Sequence, residues 1–172
     1  MPLKVYNKDS KAGNRLMKTK RWLFKSEPGA YSYDDLVNDG VAEWDGVRNF
    51  QARNFLRDDI KPGDRVLFYH SNVKPPAVIG TATVVRSGYP DNTAWDPESE
   101  HPDPKSTPDN PIWYMVDIKA DEKFAEPITL VTIRNTPELS DMLLIRKGMR
   151  LSIQPVTAKE FDLISEMGKK PY

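Results

Sequence analysis

Short apolar runs bounded by turn residues recur along this chain, and no long helical segments separate them. The runs with strand character are RWLFKSEP at 21–28, RVLFYH at 65–70, AVIGTATVVR at 77–86, IWYMVDIKADEKF at 112–124 and MRLSIQPV at 149–156, and ITLVTI at 128–133 is expected to extend the same sheet. A doubly wound parallel sheet requires long helices between successive strands, so the pattern argues against that architecture. It predicts an α+β fold in which a small mixed β-barrel is flanked by short helices.

Capping signals predict three of the short helices. Ser32 with Asp35, and Thr157 with Glu160, have the spacing of a capping box. Asn49 is a suitable N-cap for a third helix, whose apolar residues recur at helical spacing on one face: Ala52, Phe55, Leu56 and Ile60. Gly40 is expected to end the first of these helices, because glycine readily adopts the left-handed conformation of a helix terminus.

Two further features interrupt the regular pattern. Gly80 lies inside a predicted strand and indicates a β-bulge or a close approach of another part of the chain. Residues 89–111 contain six prolines among many short polar residues and predict a long ordered or semi-ordered loop. Loops of this length inside a compact domain are commonly functional.

Composition limits the classes of protein that this chain can belong to. It has 172 residues, 25 basic and 25 acidic side chains and no cysteine, so thiolate metal sites and cysteine nucleophiles are excluded. The apolar runs are too short to span a bilayer, and the N-terminus has no apolar block of a signal peptide. We therefore expect an intracellular monomer that does not bind membranes, without a preference between nucleus, cytoplasm and mitochondrion. Residues 1–20 are basic and lack a hydrophobic period, which predicts a flexible N-terminal arm.

Catalytic and metal-binding patterns are poorly represented. The histidines are His70 and His101. His70 and Ser71 are neighbours on a strand, so their side chains point to opposite faces and cannot form a nucleophile–base pair. His101 and Asp103 are fewer ligands than a zinc site needs, and no glycine-rich phosphate loop is present in the sequence. The sequence predicts a protein with no catalytic residue, metal site or cofactor.

A binding site is better supported, because three polar clusters lie at the ends of apolar elements: 25–27, 48–49 and 69–72. A barrel would gather such ends at one mouth. Arg48 precedes a helix start, which suits an anion, and Trp44 offers a flat stacking face. From these residues alone the alternative is equally open, with Trp44 a core anchor and Arg48 paired with Asp45 or Glu43.

Eight ordered blocks of the sequence resemble the EVE domain family. They are WLFKSEP, WDGVRNFQARNFLR, KPGDRVLFYHSN, IGTATVV, YPDNTAWDP, DPKS, NPIWYMVDI and RLSIQPVTAKEF, and the resemblance extends from about Trp22 to Met167. The resemblance implies a PUA-like fold, related to the YTH domains, over residues 21–172, and no catalytic activity. It also implies a base-binding pocket formed by Lys25, Ser26, Trp44, Gly46, Val47, Arg48, Asn49, Tyr69, His70 and Ser71, with Arg53 and Lys105 at a phosphate-contacting rim.

The resulting prediction is a non-enzymatic nucleic-acid-binding module that reads a modified or flipped base in DNA or RNA. Trp44 or Tyr69 is expected to stack on the base, and Ser26, Asn49 or Ser71 to contact its edge. One alternative is a sensor of a nucleoside or anionic metabolite, or an uncharacterised enzyme, that uses the same pocket. The other alternative is a protein-interaction module. The zero net charge predicts a shallow salt dependence, equivalent to two or three phosphate contacts.

Overall fold

The computed structural model describes residues 19–169, so the predicted flexibility of the N-terminal arm lies outside the described residues except at its last two positions. Lys20 already contacts the domain: its amide donates to Asp64 Oδ1 at 3.1 Å, and its carbonyl accepts from the Arg65 amide at 3.0 Å. The domain boundary proposed at residue 21 stays a prediction.

The fold is α+β, as predicted, with one six-stranded mixed sheet and short helices. The strands are β1 (Arg21–Ser26), β2 (Val41–Glu43), β3 (Arg65–His70), β4 (Ala77–Pro90), β5 (Tyr114–Thr129) and β6 (Ile153–Val156). They pair in the order β2-β5-β4-β3-β1-β6. β1 and β3 are parallel, and every other neighbouring pair is antiparallel.

The four α-helices are α1 (Tyr33–Asp39), α2 (Phe50–Asn54), α3 (Leu130–Arg134) and α4 (Ala158–Lys169). A π-helical turn at Phe55–Asp59 continues α2, and 3-10 turns occupy Asn92–Trp95, Pro137–Leu139 and Leu143–Ile145. The predicted caps at Ser32, Asn49 and Thr157 are all confirmed by side-chain to backbone hydrogen bonds. Among residues 19–169, no helix has the length and apolar character needed to cross a membrane.

Side chains alternate between two hydrophobic clusters along the central strands. On β1, Trp22 and Phe24 enter the first cluster and Leu23 enters the second. On β3, Phe68 belongs to the first cluster and Tyr69 to the second. The first cluster packs α1, α2 and the residues around Trp44 on one face of the sheet, and the second packs α3 and α4 against the other. This alternation has the period of two that a sheet covered on both faces requires.

Two predicted strands end differently from the prediction. ITLVTI continues the sheet only through its first two residues and is wrong as a strand from Leu130 onward: β5 ends at Thr129, whose side chain accepts from the Thr132 amide at 3.1 Å and starts α3. This cap outweighs the β propensity of the following Val and Ile residues. MRLSIQPV is a strand only over Ile153–Val156. Pro155 is accommodated there because β6 is at the edge of the sheet.

Gly80 fulfils both expectations. The register of β4 against β5 shifts between Val78 and Gly80, as in a β-bulge. A Cβ at Gly80 would lie 2.5 Å from the Glu122 carbonyl oxygen and 2.7 Å from the Tyr33 ring. The absence of a side chain thus lets α1 pack directly on the sheet, and the Tyr33 hydroxyl donates to the Thr81 carbonyl at 2.8 Å.

Candidate functional site

A cavity of about 660 Å³ opens beside the end of β1. Four separate segments enclose it: the end of β1 with the residues that follow it, the end of β2 with the turn to α2, the proline-rich loop, and Ser152 just before β6. Its lining residues are Lys25, Ser26, Glu27, Ala30, Tyr31, Glu43, Trp44, Asp45, Gly46, Val47, Arg48, Glu100, His101 and Ser152. The volume is within the range of pockets that bind small ligands, about 300–1,000 Å³.

Trp44 is both a core residue and a wall of the cavity. Its side chain belongs to the first hydrophobic cluster, and the residue is only 9% exposed. The indole ring packs against Phe24 at 5.3 Å and against Phe68 at 5.5 Å between centroids. The two interpretations left open by the sequence are therefore compatible, because the core-anchored ring also lines the cavity. A ring fixed on its other sides loses little conformational entropy when a ligand stacks on it.

Tyr31 provides a second aromatic wall that the sequence pattern did not indicate. Its ring lies 6.3 Å from Trp44 at an interplanar angle of 87°, so the two rings form a corner. The Tyr31 hydroxyl donates to Asp39 Oδ2 at 2.7 Å, and its carbonyl accepts from Ser26 Oγ at 2.5 Å. Burial and the bonded Asp39 carboxylate raise the pKa of Tyr31, which keeps the ring neutral.

Arg48 fastens the proline-rich loop to the turn before α2. Its Nη1 donates to Asp91 Oδ2 at 2.8 Å, and its Nη2 donates to the His101 carbonyl at 2.7 Å. The guanidinium also lies 5.5 Å from the centroid of the Trp113 ring. The alternative pairing of Arg48 with Asp45 or Glu43 was wrong. Since most of its donors are engaged within the protein, Arg48 braces the wall of the cavity.

Asp91 is the buried partner in this clasp. Its side chain is fully buried and accepts from the Gly46 amide at 2.9 Å, from Arg48, and from the amide and hydroxyl of Thr93 at 2.9 and 2.6 Å. Burial by itself raises the pKa of a carboxyl group, but the bonds from Thr93, Arg48 and Gly46 outweigh it and hold the pKa of Asp91 below its usual value. The ionised carboxylate therefore joins the turn and the loop.

Gly46 allows the loop to close over the turn. It has a φ of +78°, and an added Cβ would lie 2.5 Å from His101 Cδ2. The imidazole of His101 therefore packs directly on the glycine backbone, where any other residue would displace it. Trp113 fastens the far end of the loop, since its Nε1 donates to Asp103 Oδ2 at 2.6 Å.

The charges that line the cavity are predominantly acidic. Two cations, Lys25 and Arg48, face four carboxylates, which belong to Glu27, Glu43, Asp45 and Glu100. Burial lowers the pKa of Lys25. Burial raises the pKa of Asp45, and the nearby Asp91 raises it further, against the opposing effects of His101 and Arg48. The cavity is therefore poorly suited to a free anion and better suited to a neutral ring that offers hydrogen-bond donors.

Six of the ten predicted pocket residues line the cavity: Lys25, Ser26, Trp44, Gly46, Val47 and Arg48. The structure does not bring the other four into its lining. The side chain of Asn49 is occupied as an N-cap and accepts from the Ala52 amide at 3.0 Å. Tyr69 points to the opposite face of the sheet, into the second hydrophobic cluster, so its expected stacking role does not apply to this cavity.

His70 and Ser71 lie beyond the cavity for related reasons. Nε2 of His70 accepts from the Tyr33 amide at 3.1 Å, and burial lowers the pKa of His70, which favours the neutral form that this bond requires. The Ser71 amide donates to the Ser26 carbonyl at 3.0 Å, which continues the pairing of β3 with β1. These residues support the end of β1 without contributing to the cavity lining.

Neither predicted rim cation is among the lining residues. Nη1 of Arg53 donates to the Ile112 carbonyl at 2.7 Å, and its guanidinium lies 5.0 Å from the centroid of the Phe50 ring. Lys105 is exposed on the proline-rich loop. Their predicted contacts with phosphate stay predictions.

The fold and the cavity define the class of protein: a PUA-like α+β domain with an aromatic-walled cavity beside the end of β1. The sequence matches the EVE domain family over residues 20–167. Thymocyte nuclear protein 1 of Danio rerio is 38% identical over 163 residues, which are 84% of this chain and 70% of that protein. The chain belongs to the EVE domain family.

Solved structures agree with this assignment. A hypothetical protein from Leishmania major is 45% identical, and the match covers 87% of this chain and 94% of that chain with a TM-score of 0.82. Human THYN1, solved in complex with DNA that contains 5-methylcytosine, is 38% identical, and the match covers 90% of this chain and 100% of that chain with a TM-score of 0.80.

Proposed function

We propose that this protein is a non-catalytic reader of modified nucleic acid that holds one flipped base in the cavity, with 5-methylcytosine in DNA as the favoured ligand. The observation that carries the proposal is the corner formed by Trp44 and Tyr31, whose rings meet at 87°. A planar base that stacks on one ring would have its edge against the other. Base–aromatic stacking contributes about 1–3 kcal/mol per base.

The related human THYN1 protein binds DNA that contains 5-methylcytosine, and this relationship supports the choice of ligand. The chains are similar over nearly their whole length. The support for DNA comes from that protein, whereas the support for a single enclosed base comes from the cavity of this one.

Energetics explain why the base has to be enclosed. Burial of one methyl group contributes only about 0.8 kcal/mol, roughly a fourfold preference. Extrusion of a base from a duplex costs a few kcal/mol. Stacking on Trp44 and Tyr31 must therefore offset the cost of extrusion, and the methyl contact refines the selection. We expect modest affinity, with tighter binding where the base pair is already weakened.

The lining charges favour a base over the anionic metabolite considered as an alternative. Four carboxylates and two cations line the cavity, and the guanidinium of Arg48 is already paired with Asp91. Lys25 is the remaining lining cation, at the end of β1, and we propose that it contacts a backbone phosphate next to the flipped nucleotide. We further propose that Arg53 and Lys105 contact backbone phosphates farther from the cavity. We also propose that the protein is an intracellular monomer.

Binding to matched oligonucleotides tests the proposal. The probes are DNA duplexes that carry either 5-methylcytosine or cytosine at one position, each opposite guanine or opposite an abasic site, and binding is measured by fluorescence anisotropy. We expect the methylated probes to bind a few-fold more tightly, and the abasic partner to strengthen both. Mass spectrometry of the recovered probe should find the base unchanged.

Tyr31→Ala is the informative variant, because Tyr31 contributes less to the core than Trp44. Its matched control is Tyr89→Ala, since Tyr89 is also half-buried and its hydroxyl also bonds an aspartate, Asp117. We expect Tyr31→Ala to weaken binding about 5- to 150-fold, by loss of one stacking wall, and Tyr89→Ala to leave binding unchanged. Equal effects of the two variants, or no binding of any probe by the unaltered protein, would overturn the proposal.

A further inference from the structure

Four carboxylates line the cavity, more than its role as a base pocket requires. They differ in their hydrogen bonds and in their position relative to Trp44. Glu27 is already engaged, because its Oε1 accepts from Asn72 Nδ2 at 2.5 Å. The Glu100 side chain is 91% exposed, and Glu43 is exposed on β2, before Trp44. Asp45 directly follows Trp44 in the turn, and its side chain bonds no other residue in the described part of the chain. Asp45 is exposed where it lines the cavity, so its carboxylate is open to a donor from a ligand.

We infer that Asp45 is the specificity-determining residue of the cavity, and that its carboxylate accepts a hydrogen bond from the exocyclic amino group of the bound base. This inference rests on the proposed function and names the feature of the base that is read. A carboxylate accepts from the N4 amino group of cytosine but has no donor to offer to the O4 oxygen of thymine. Among the pyrimidines, the ligand is therefore one that carries an amino group.

The geometry of the turn fixes Asp45 in this position. The Trp44 amide donates to the Val116 carbonyl at 2.7 Å, and the Gly46 amide donates to Asp91 at 2.9 Å. The backbone is consequently held on both sides of Asp45, which limits where its side chain can reach. Since Asp has a single side-chain methylene, its carboxylate stays close to the turn and to the part of the cavity that Trp44 lines.

The electrostatic surroundings agree with a donor-bearing ligand. Burial and the neighbouring Asp91 carboxylate raise the pKa of Asp45, against the opposing effects of His101 and Arg48, and so disfavour its ionised form. An amino group that donates to Asp45 would stabilise the ionised carboxylate. A carbonyl oxygen in the same place would instead face the carboxylate oxygens, and neither group would have a proton to donate. Both effects favour cytosine over thymine.

5-Methylcytosine and thymine form a matched pair for the test, because both carry the 5-methyl group and they differ at the 4-position and in the N3 proton. The probes are identical single-stranded oligonucleotides with one or the other base at a central position, so that no pairing energy differs between them. One good contact to a base edge discriminates by about 1–3 kcal/mol. We expect the unaltered protein to prefer 5-methylcytosine by about 5- to 150-fold.

Asp45→Asn is the decisive variant, with Asp141→Asn as the matched control, because Asp141 is exposed and does not line the cavity. An Asn side chain can accept from an amino group or donate to a carbonyl oxygen. Asp45→Asn should therefore reduce the preference to within about threefold by improving thymine binding, with 5-methylcytosine still bound and with no loss of thermal stability. Asp141→Asn should keep the preference.

The outcomes separate the inference from the proposed function. If neither oligonucleotide binds the unaltered protein, the proposed function fails and the inference fails with it. If both bind equally, or if Asp45→Asn keeps the full preference, the reader remains and the role of Asp45 is rejected. The same rejection follows if Asp141→Asn lowers the preference as much as Asp45→Asn.

Discussion

The buried clasp between Arg48 and Asp91 makes a quantitative prediction about stability. Asp91→Ala removes a carboxylate that is fully buried and that accepts four hydrogen bonds. Loss of one partner of a buried ion pair costs about 3–5 kcal/mol. The Arg48 side chain keeps 22% exposure and its bonds to the His101 carbonyl. We therefore expect the lower end of this range, about 3 kcal/mol.

Asp58→Ala is the matched control. Arg57 and Asp58 also form an ion pair at 2.8 Å, but their side chains are 38% and 51% exposed. Exposed pairs contribute about 0–1 kcal/mol, so the two variants isolate the effect of burial. In a domain of this size, about 3 kcal/mol corresponds to a fall in Tm of roughly 6–12 °C.

Urea unfolding followed by circular dichroism measures both free energies of unfolding. We expect Asp91→Ala to lower the midpoint without a change in slope, and Asp58→Ala to leave it nearly unaltered. If Asp91→Ala costs no more than Asp58→Ala, the clasp does not stabilise the fold. The assignment of Arg48 as a brace for the cavity wall would then be refuted.

Three further predictions concern the same site. Gly46→Ala and Gly148→Ala should each destabilise the fold by about 1–2 kcal/mol, because both positions have φ near +78°. Only Gly46→Ala should also displace His101 and weaken binding, so equal binding by the two variants would contradict this account. Asp91 has a lowered pKa in the folded state, so its stabilising effect is present above about pH 4, the usual value for the unfolded chain, and is lost as pH falls through the folded-state pKa. Urea unfolding between pH 6 and pH 3 should therefore show a larger loss for the unaltered protein than for Asp91→Asn. Binding to duplex DNA should have a log–log salt slope of about −2 to −3, equivalent to two or three phosphate contacts, and a slope near −10 would reveal a basic surface outside the cavity and its rim.

Local features of the fold were predictable from the sequence. Caps at Ser32, Asn49 and Thr157 depend on residues three positions away, and hydrogen bonds of such short range are visible as spacing. The bulge at Gly80 was predictable for the same reason, since a lone glycine within a strand typically marks a bulge or a close backbone approach. ITLVTI shows the limit of local patterns, because its β propensity pointed to a strand while the cap formed by Thr129 starts a helix.

The candidate site was only partly predictable, because its contacts join distant parts of the chain. Arg48 pairs with a residue 43 positions away, and the cavity receives His101 and Ser152 from two further segments. Tyr31 and Asp45 were not predicted, although they lie in the short sequences YSY and WDG beside predicted elements. Tyr69 could have been excluded from the predicted pocket by strand geometry. It neighbours His70 on a strand, so the two side chains point to opposite faces of the sheet.

The position of β1 has a consequence for how the protein is made. β1 is near the start of the domain, yet it lies between β3 and β6 and pairs with both. During synthesis, β1 cannot complete its pairing until the last strand has left the ribosome. The Lys25 amide bonds the Ser152 carbonyl at 2.9 Å, so the cavity closes at the same late moment. A nascent or prematurely terminated chain that lacks β6 would carry most of the lining residues and still present no finished pocket.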